Sequence, residues 1–173
     1  AISGREIAFN NGDARIAGFT HDGLTFGSDS AAANALDDYE EGSWTVVLST
    51  SDGVQSLNSS IDSCSYIKIG RMVHIQGRIQ FGTPSGSASV RVSLPFTASN
   101  TLNEQGWGMQ IACNTHGMSI GGDVVGTFLE FAANDSNCYL VAQRDNNSWS
   151  GTTINNFSNN DYLAFSGSYI TDA

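Results

Sequence analysis

Apolar residues recur along this chain at every second position far more often than at every third or fourth. The clearest run is Met72 to Phe81, where Val73, Ile75, Ile79 and Phe81 alternate with His74, Gln76, Arg78 and Gln80. That alternation marks a strand with one face on a core and the other in solvent. Ala88–Leu94 repeats it through Val90, Val92 and Leu94, and Pro95 stops it. Further strands are predicted at Trp44–Leu48, Ser65–Gly70, Gly108–Cys113, Thr127–Ala132, Cys138–Gln143, Thr152–Phe157 and Tyr162–Ile170. Between them fall Thr83-Pro84-Ser85-Gly86, Gly121-Gly122-Asp123, Asn134-Asp135-Ser136-Asn137 and Asp145-Asn146-Asn147. These residue types supply left-handed backbone and local side-chain hydrogen bonds, which tight turns need. The pattern predicts an all-β fold over residues 44–173, an antiparallel β-sandwich of jelly-roll-like form.

Residues 1–43 read differently. Ile7-Ala8-Phe9 and Ala14–Ala17 flank Asn10-Asn11-Gly12-Asp13, and His21-Asp22-Gly23 precedes Leu24–Gly27. Asn-Gly and Asp-Gly are strong hairpin signals because both residues tolerate positive φ. Asp29–Leu36 carries an N-cap residue and good helix formers, a brief helix-like linker too short to stand alone. Ile2, Ile7, Phe9, Ile16, Phe19, Leu24 and Phe26 are too few to build a separate core. They predict an arm whose apolar side chains are buried between copies of the same chain, as in an intertwined homotrimer, the alternative being that the arm folds back onto residues 44–173 of its own chain.

Charge narrows the partners. Seven Lys and Arg stand against seventeen Asp and Glu, a formal net charge of −10. Nucleic acid requires a basic surface, and anionic lipid likewise attracts cations, so neither is an expected partner. No apolar run is long enough to insert in a membrane, and no signal peptide is visible. The chain starts without Met, which reads as a piece cut from a longer protein. Cys64, Cys113 and Cys138 are widely spaced, without a CxxC pair. They read as buried free thiols, which suits assembly in a reducing cytoplasm.

Little in the chain suggests bond-breaking chemistry. His21, His74 and His116 form no H-x-H or HExxH pattern, and no cofactor is predicted. His21 is a weak metal candidate, since one imidazole per chain becomes three on a three-fold axis. Asp22, Asp29, Asp37 and Asp38 are hard oxygen ligands, yet they lack the spacing of a calcium loop. No G-x-S-x-G elbow occurs, and the acids at 37–41 lie in a linker where no burial raises a catalytic pKa. Recognition has better support. Aromatic rings stack on sugar faces, and amides and carboxylates hydrogen-bond sugar hydroxyls. Trp107, Trp149, Asn146, Asn147 and Asp135 combine these chemistries in segments that read as loops, so they are the candidate receptor-binding residues.

The string Ala35-Leu36-Asp37-Asp38-Tyr39-Glu40-Glu41-Gly42-Ser43-Trp44 places four acids between an Ala-rich linker and the first strand of the sandwich. It resembles the LDDYEEG-[ST]-W junction of bacteriophage tail-fibre and related receptor-binding proteins. Tyr66-Ile67-Lys68-Ile69-Gly70-Arg71-Met72-Val73 is similar, more loosely, to a strand opening of the same proteins. Leu163–Ile170 resembles the closing strand of trimeric jelly-roll heads. The resemblance implies a viral protein of the virion, assembled in the host cytoplasm as a homotrimer. Its head would attach to a host-surface polysaccharide or lipopolysaccharide without turning it over. A structural virion fibre or trimerisation cap is the alternative, and a capsule-degrading tailspike enzyme ranks below both. At the junction, Trp44 is expected to be largely buried with Tyr39 nearby, and the acids to be solvated.

Overall fold

The structure is a computed structural model that describes residues 7–20, 23–27, 39–100, 110–119, 122–145 and 149–172. Within the chain, residues 1–40 together with Lys68–Gly70 form one compact unit, and the remainder forms a second. The predicted linker helix at Asp29–Leu36 lies outside the described residues.

In the first unit, β1 (Ile7–Asn11), β2 (Ala14–Thr20) and β3 (Gly23–Phe26) form an antiparallel three-stranded meander. Gly12 turns the first hairpin at a φ of 63°, a conformation open to glycine and costly for most other residues. Ile7 pairs with Phe19, Phe9 with Ala17, Phe19 with Leu24 and Ala17 with Phe26. Side chains opposite each other share a face, so Ile7, Phe9, Phe19 and Phe26 stand together on one side of the sheet. Phe9 and Phe19 meet edge to face at 6.1 Å. Each of the four is nonetheless 50–65 % exposed. The apolar count that seemed too small for a core in the sequence indeed leaves this face uncovered. Glu40 in the same unit pairs with Lys68 at 3.5 Å, and that lysine is buried. Glu40 is exposed, as expected of the junction acids, and it also pairs with that buried ammonium.

The second unit holds one large antiparallel sheet. Its strands are β4 (Tyr39–Thr45), β5 (Leu48–Thr50), β6 (Gly53–Val54), β7 (Ser63–Ile69), β8 (Met72–Gln80), β9 (Arg91–Ser93) and β10 (Gln110–His116). They continue as β11 (Val124–Phe131), β12 (Asn137–Arg144), β13 (Ser150–Gly151) and β14 (Tyr162–Ile170). The order is β4-β7-β8-β14-β10-β11-β12-β9-β5-β6, with β13 paired to β12. This is the all-β, antiparallel, sandwich-like fold that the alternation predicts. The sheet curls on itself, so both of its halves face one core. Leu48, Val73, Ile75, Ile79, Val92, Ile111, Leu129, Leu140 and Leu163 from seven strands all lie at most 1 % exposed within that core. Phe81 stacks on Phe157 at 4.1 Å, and Phe131 on Tyr169 at 5.1 Å. The Tyr169 hydroxyl donates to the Phe96 carbonyl at 2.8 Å, which satisfies a phenol that is otherwise fully enclosed.

Three local expectations change. Trp44–Leu48 is not a single strand, because β4 ends at Thr45 and β5 begins at Leu48. The intervening residues carry the chain from one end of the sheet to the other. Val46 N–H donates to the Asp62 carbonyl at 2.8 Å, while Ser93 N–H donates to the Val47 carbonyl at 3.0 Å. Thr152–Phe157 is a 3-10 turn at Ile154–Asn156 rather than a strand. The buried apolar residues there, Ile154 and Phe157, are three apart, which is a turn's spacing and not a strand's. Gln80 is buried rather than solvated, because the Asn58 amide, the Tyr162 hydroxyl and the Asn160 carbonyl occupy its polar atoms.

The cysteines are free thiols. Burial pushes Cys64 and Cys113 up to about 11, so neither is a thiolate at neutral pH.

Trp44 is partly buried, and it closes the curl. Its indole N–H donates to the Ser93 carbonyl at 3.2 Å, and its ring lies 6.3 Å from Phe165 and 6.5 Å from Tyr66. Trp44→Ala is expected to cost about 3 kcal/mol, the lower end for losing a large aromatic side chain. Trp44→Phe keeps the ring and loses the hydrogen bond, a cost of about 1 kcal/mol. Urea unfolding of both variants checks this, and equal costs would mean the hydrogen bond dominates the ring packing.

Candidate functional site

Of the five loop residues that sequence chemistry selects, Trp107, Asn146 and Asn147 lie outside the described residues, as does His21. Trp149 and Asp135 are described, and β12 holds them apart. Asp135 precedes the start of that strand, whereas Trp149 adjoins Ser150, which pairs with Ala142 near its far end. The rise of a strand separates them by roughly 20 Å.

Asp135 is engaged by its own surroundings. Its carboxylate accepts the Tyr139 hydroxyl at 2.6 Å and, on the other oxygen, the Asn137 backbone N–H at 2.9 Å and side-chain amide at 3.2 Å. Burial opposes its ionisation, but these hydrogen bonds and the Arg91 charge outweigh burial and hold its pKa below the usual carboxylate value. The same hydrogen bond from Tyr139, with burial, raises the phenol's pKa. Arg91 lies over the Tyr139 ring at 5.4 Å. Asn134 takes a φ of 57° in the adjoining turn, which an Asn side chain tolerates. The arrangement pins the turn between β11 and β12.

Trp149 is 44 % exposed at the opposite end. There Arg144 pairs with Asp123 at 2.6 Å and its Nε reaches Ser150 Oγ at 3.4 Å. Val125 is also exposed, at a bulge in the β11–β12 ladder. An exposed indole and a valine beside an ordered Arg–Asp pair make a surface with apolar and charged contacts side by side.

A third feature lies on the outward face of four adjacent strands, β4, β7, β8 and β14. Two open depressions, of about 610 Å³ and about 480 Å³, share Ser65 and Gln76 and so form one groove. Glu41 and His74 stand toward one end, and Ser43, Ser63 and Ser166 toward the other. Tyr66, Cys64 and Phe165, whose side chains turn toward the core, also contribute to its lining. Gly77 sits where any Cβ would collide with the Cys64 sulfur beneath it. The His74 ring meets Ser168 Oγ at 3.1 Å along the same face. Residue chemistry alone did not single out this groove. Ser63 and Ser65 alternate visibly with Cys64 and Tyr66, but nothing local shows that β7 lies two strands from β14.

Among the described residues no group of three or more His, Cys, Asp and Glu is placed to hold a metal ion. In comparisons with known proteins, no protein-family model and no curated sequence matches the chain.

Asp135→Asn is expected to destabilise the head by about 1–2 kcal/mol at neutral pH, since the Tyr139 and Asn137 donors lose an ionised acceptor. The folded pKa is depressed, so this stabilisation is fully present above the ordinary carboxylate pKa and is lost as pH falls through the folded value. Denaturant midpoints of the two proteins should therefore differ at pH 7 and converge below about pH 4. A gap that persists in acid would assign the effect to shape rather than charge.

Proposed function

We propose that the chain is the C-terminal region of a phage tail fibre or similar receptor-binding protein, and that it attaches the virion to a glycan of the host surface. Supporting the reading are the junction from Ala35 to Trp44, the sandwich-like head that follows it, and the character of the first unit. The observation that carries it is the uncovered apolar face of Ile7, Phe9, Phe19 and Phe26. A three-stranded sheet stabilises itself by burying an apolar face, and here that face is left exposed, so too little apolar surface is buried to hold so small a unit alone. Other copies of the chain are the economical cover, and a three-fold assembly presents three heads together. Binding at each head can then be weak, because multivalency multiplies it.

Burying those four side chains is worth roughly 1.5–3 kcal/mol each, as an upper bound. Light scattering is expected to report three times the chain mass. Replacing Phe9 and Phe19 together by Ser should yield monomers whose heads keep their near-ultraviolet circular dichroism. A stable monomer of the unaltered chain at micromolar concentration would refute the assembly.

The attachment role is checked by pre-incubating host bacteria with the trimer. Blocked phage adsorption is the expected result. Clearing of capsule would point to an enzyme, and neither effect to a structural cap. Trp149→Ala is expected to reduce adsorption while shifting stability by less than about 0.5 kcal/mol, the usual range for an exposed site. Unfolding of the head by this change would place Trp149 in the packing instead.

A further inference from the structure

The groove across β4, β7, β8 and β14 has a composition that selects a class of ligand. Its reachable side chains include Ser43, Ser63, Ser65, Ser166 and Gln76, which offer hydroxyl and amide groups that both donate and accept hydrogen bonds. Among the described residues neither depression is lined by Lys or Arg, and the only carboxylate is Glu41 at one end. Such a site cannot neutralise a phosphate or carboxylate, and the chain's net charge of −10 further repels anions. Tyr66, Ile67 and Phe165 add apolar surface beside these polar groups, which suits a ligand that presents both hydroxyls and a C–H face. A ligand whose own groups are alternately donor and acceptor at short spacing meets every one of these conditions.

Size and build agree with that chemistry. Each depression falls within the range typical of small-ligand sites. The side chains that form it stand on strands rather than on loops, so their spacing is fixed by the ladder, and little ordering is required on binding. The outward register of β14 against β8 sets Ser166 beside Gln76 and Ser168 beside His74, which gives a regular row of polar groups. Ile67, exposed on the same face of β7, supplies an apolar edge against which the C–H face of a sugar ring can rest.

We propose that this groove is a binding site for a neutral saccharide, separate from the exposed Trp149 at the end of β12. The inference stands on the groove's chemistry and does not require the chain to be a phage fibre.

The test is a titration of the isotope-labelled trimer with neutral mono- and trisaccharides of glucose, galactose, mannose and N-acetylglucosamine, followed by amide chemical shifts. The expected result is saturable shifts at Ser65, Gln76 and Ser166 for at least one sugar, with a dissociation constant on the order of 1 mM or tighter. Gln76→Ala removes an exposed amide and should weaken that binding at least tenfold. Ser65→Leu fills the groove from a position outside the core and should abolish it, so a folding defect in one variant leaves the other to decide. Shifts confined to the Trp149 end, or no saturable shift with any sugar, would overturn the proposal. If the groove binds sugar but Gln76→Ala leaves host adsorption intact, the site stands and has no part in attachment, which is then left to the Trp149 end.

Discussion

The hydrogen bond from the Trp44 indole to the Ser93 carbonyl joins strands that stand near opposite ends of the sheet order. Everything in the head depends on that closure. An open sheet of this many strands would leave one of its faces wet, and the residues that fill the core come from both halves. The corner at Thr45–Val47 solves the problem with one short piece of chain. It leaves β4 at one end of the sheet and becomes β5 at the other, while Val46 and Val47 exchange backbone hydrogen bonds with Asp62 and Ser93 on the way. Trp44 then fills the angle between Tyr66 and Phe165. A smaller residue there leaves the two halves without a shared wedge.

Closure also has consequences for the outer surface. Because the inner positions of β7, β8 and β14 are taken by Cys64, Tyr66, Ile75 and Phe165, the outer ones are free to be small and polar. The groove exists where small outward residues on neighbouring strands coincide, with a glycine at Gly77 that lets Cys64 approach from below. Recognition on such a face differs from recognition by loops. Its geometry is set by the ladder and varies little. A head that offers both kinds of surface combines a rigid polar contact with an aromatic one.

Much of this was legible in the sequence where spacing alone decides structure. Val73, Ile75, Ile79 and Phe81 announced β8, and Tyr162–Ile170 matched β14 to the residue. The division of exposed and buried positions followed from alternation. What the spacing could not show were the long-range partners. Gln80 looked like an outward residue, and only the folded chain brings Asn58 and Tyr162 to it. Ile154 and Phe157 looked like one more strand because apolar residues in an Asn- and Thr-rich segment suit either form. The candidate site was read less well than the fold. Asp135 and Trp149 have the right chemistry for sugars, but a strand's length divides them, and the carboxylate is already occupied by Tyr139 and Asn137. The groove's serines were invisible as a group because their proximity arises from pairing between β8 and β14, far apart in sequence.

The acidic balance of the chain sets a condition on any assembly. Each copy carries a net charge of −10, so bringing three together is opposed by repulsion, softened by salt over a screening length of about 8 Å. Association must therefore use surfaces where that charge is absent. Among the described residues 7–27 the only charged ones are Asp13, in the first turn, and Arg15 in β2, and they cancel each other. The apolar face of β1, β2 and β3 therefore offers burial without like charges in contact. Apolar contact confined to that face, with repulsion among the acids elsewhere in the chain, favours a defined oligomer over indefinite aggregation. The same balance bears on the ligand: a net-acidic chain, with neither Lys nor Arg among the described residues that line the groove, suits a neutral sugar better than an anionic one.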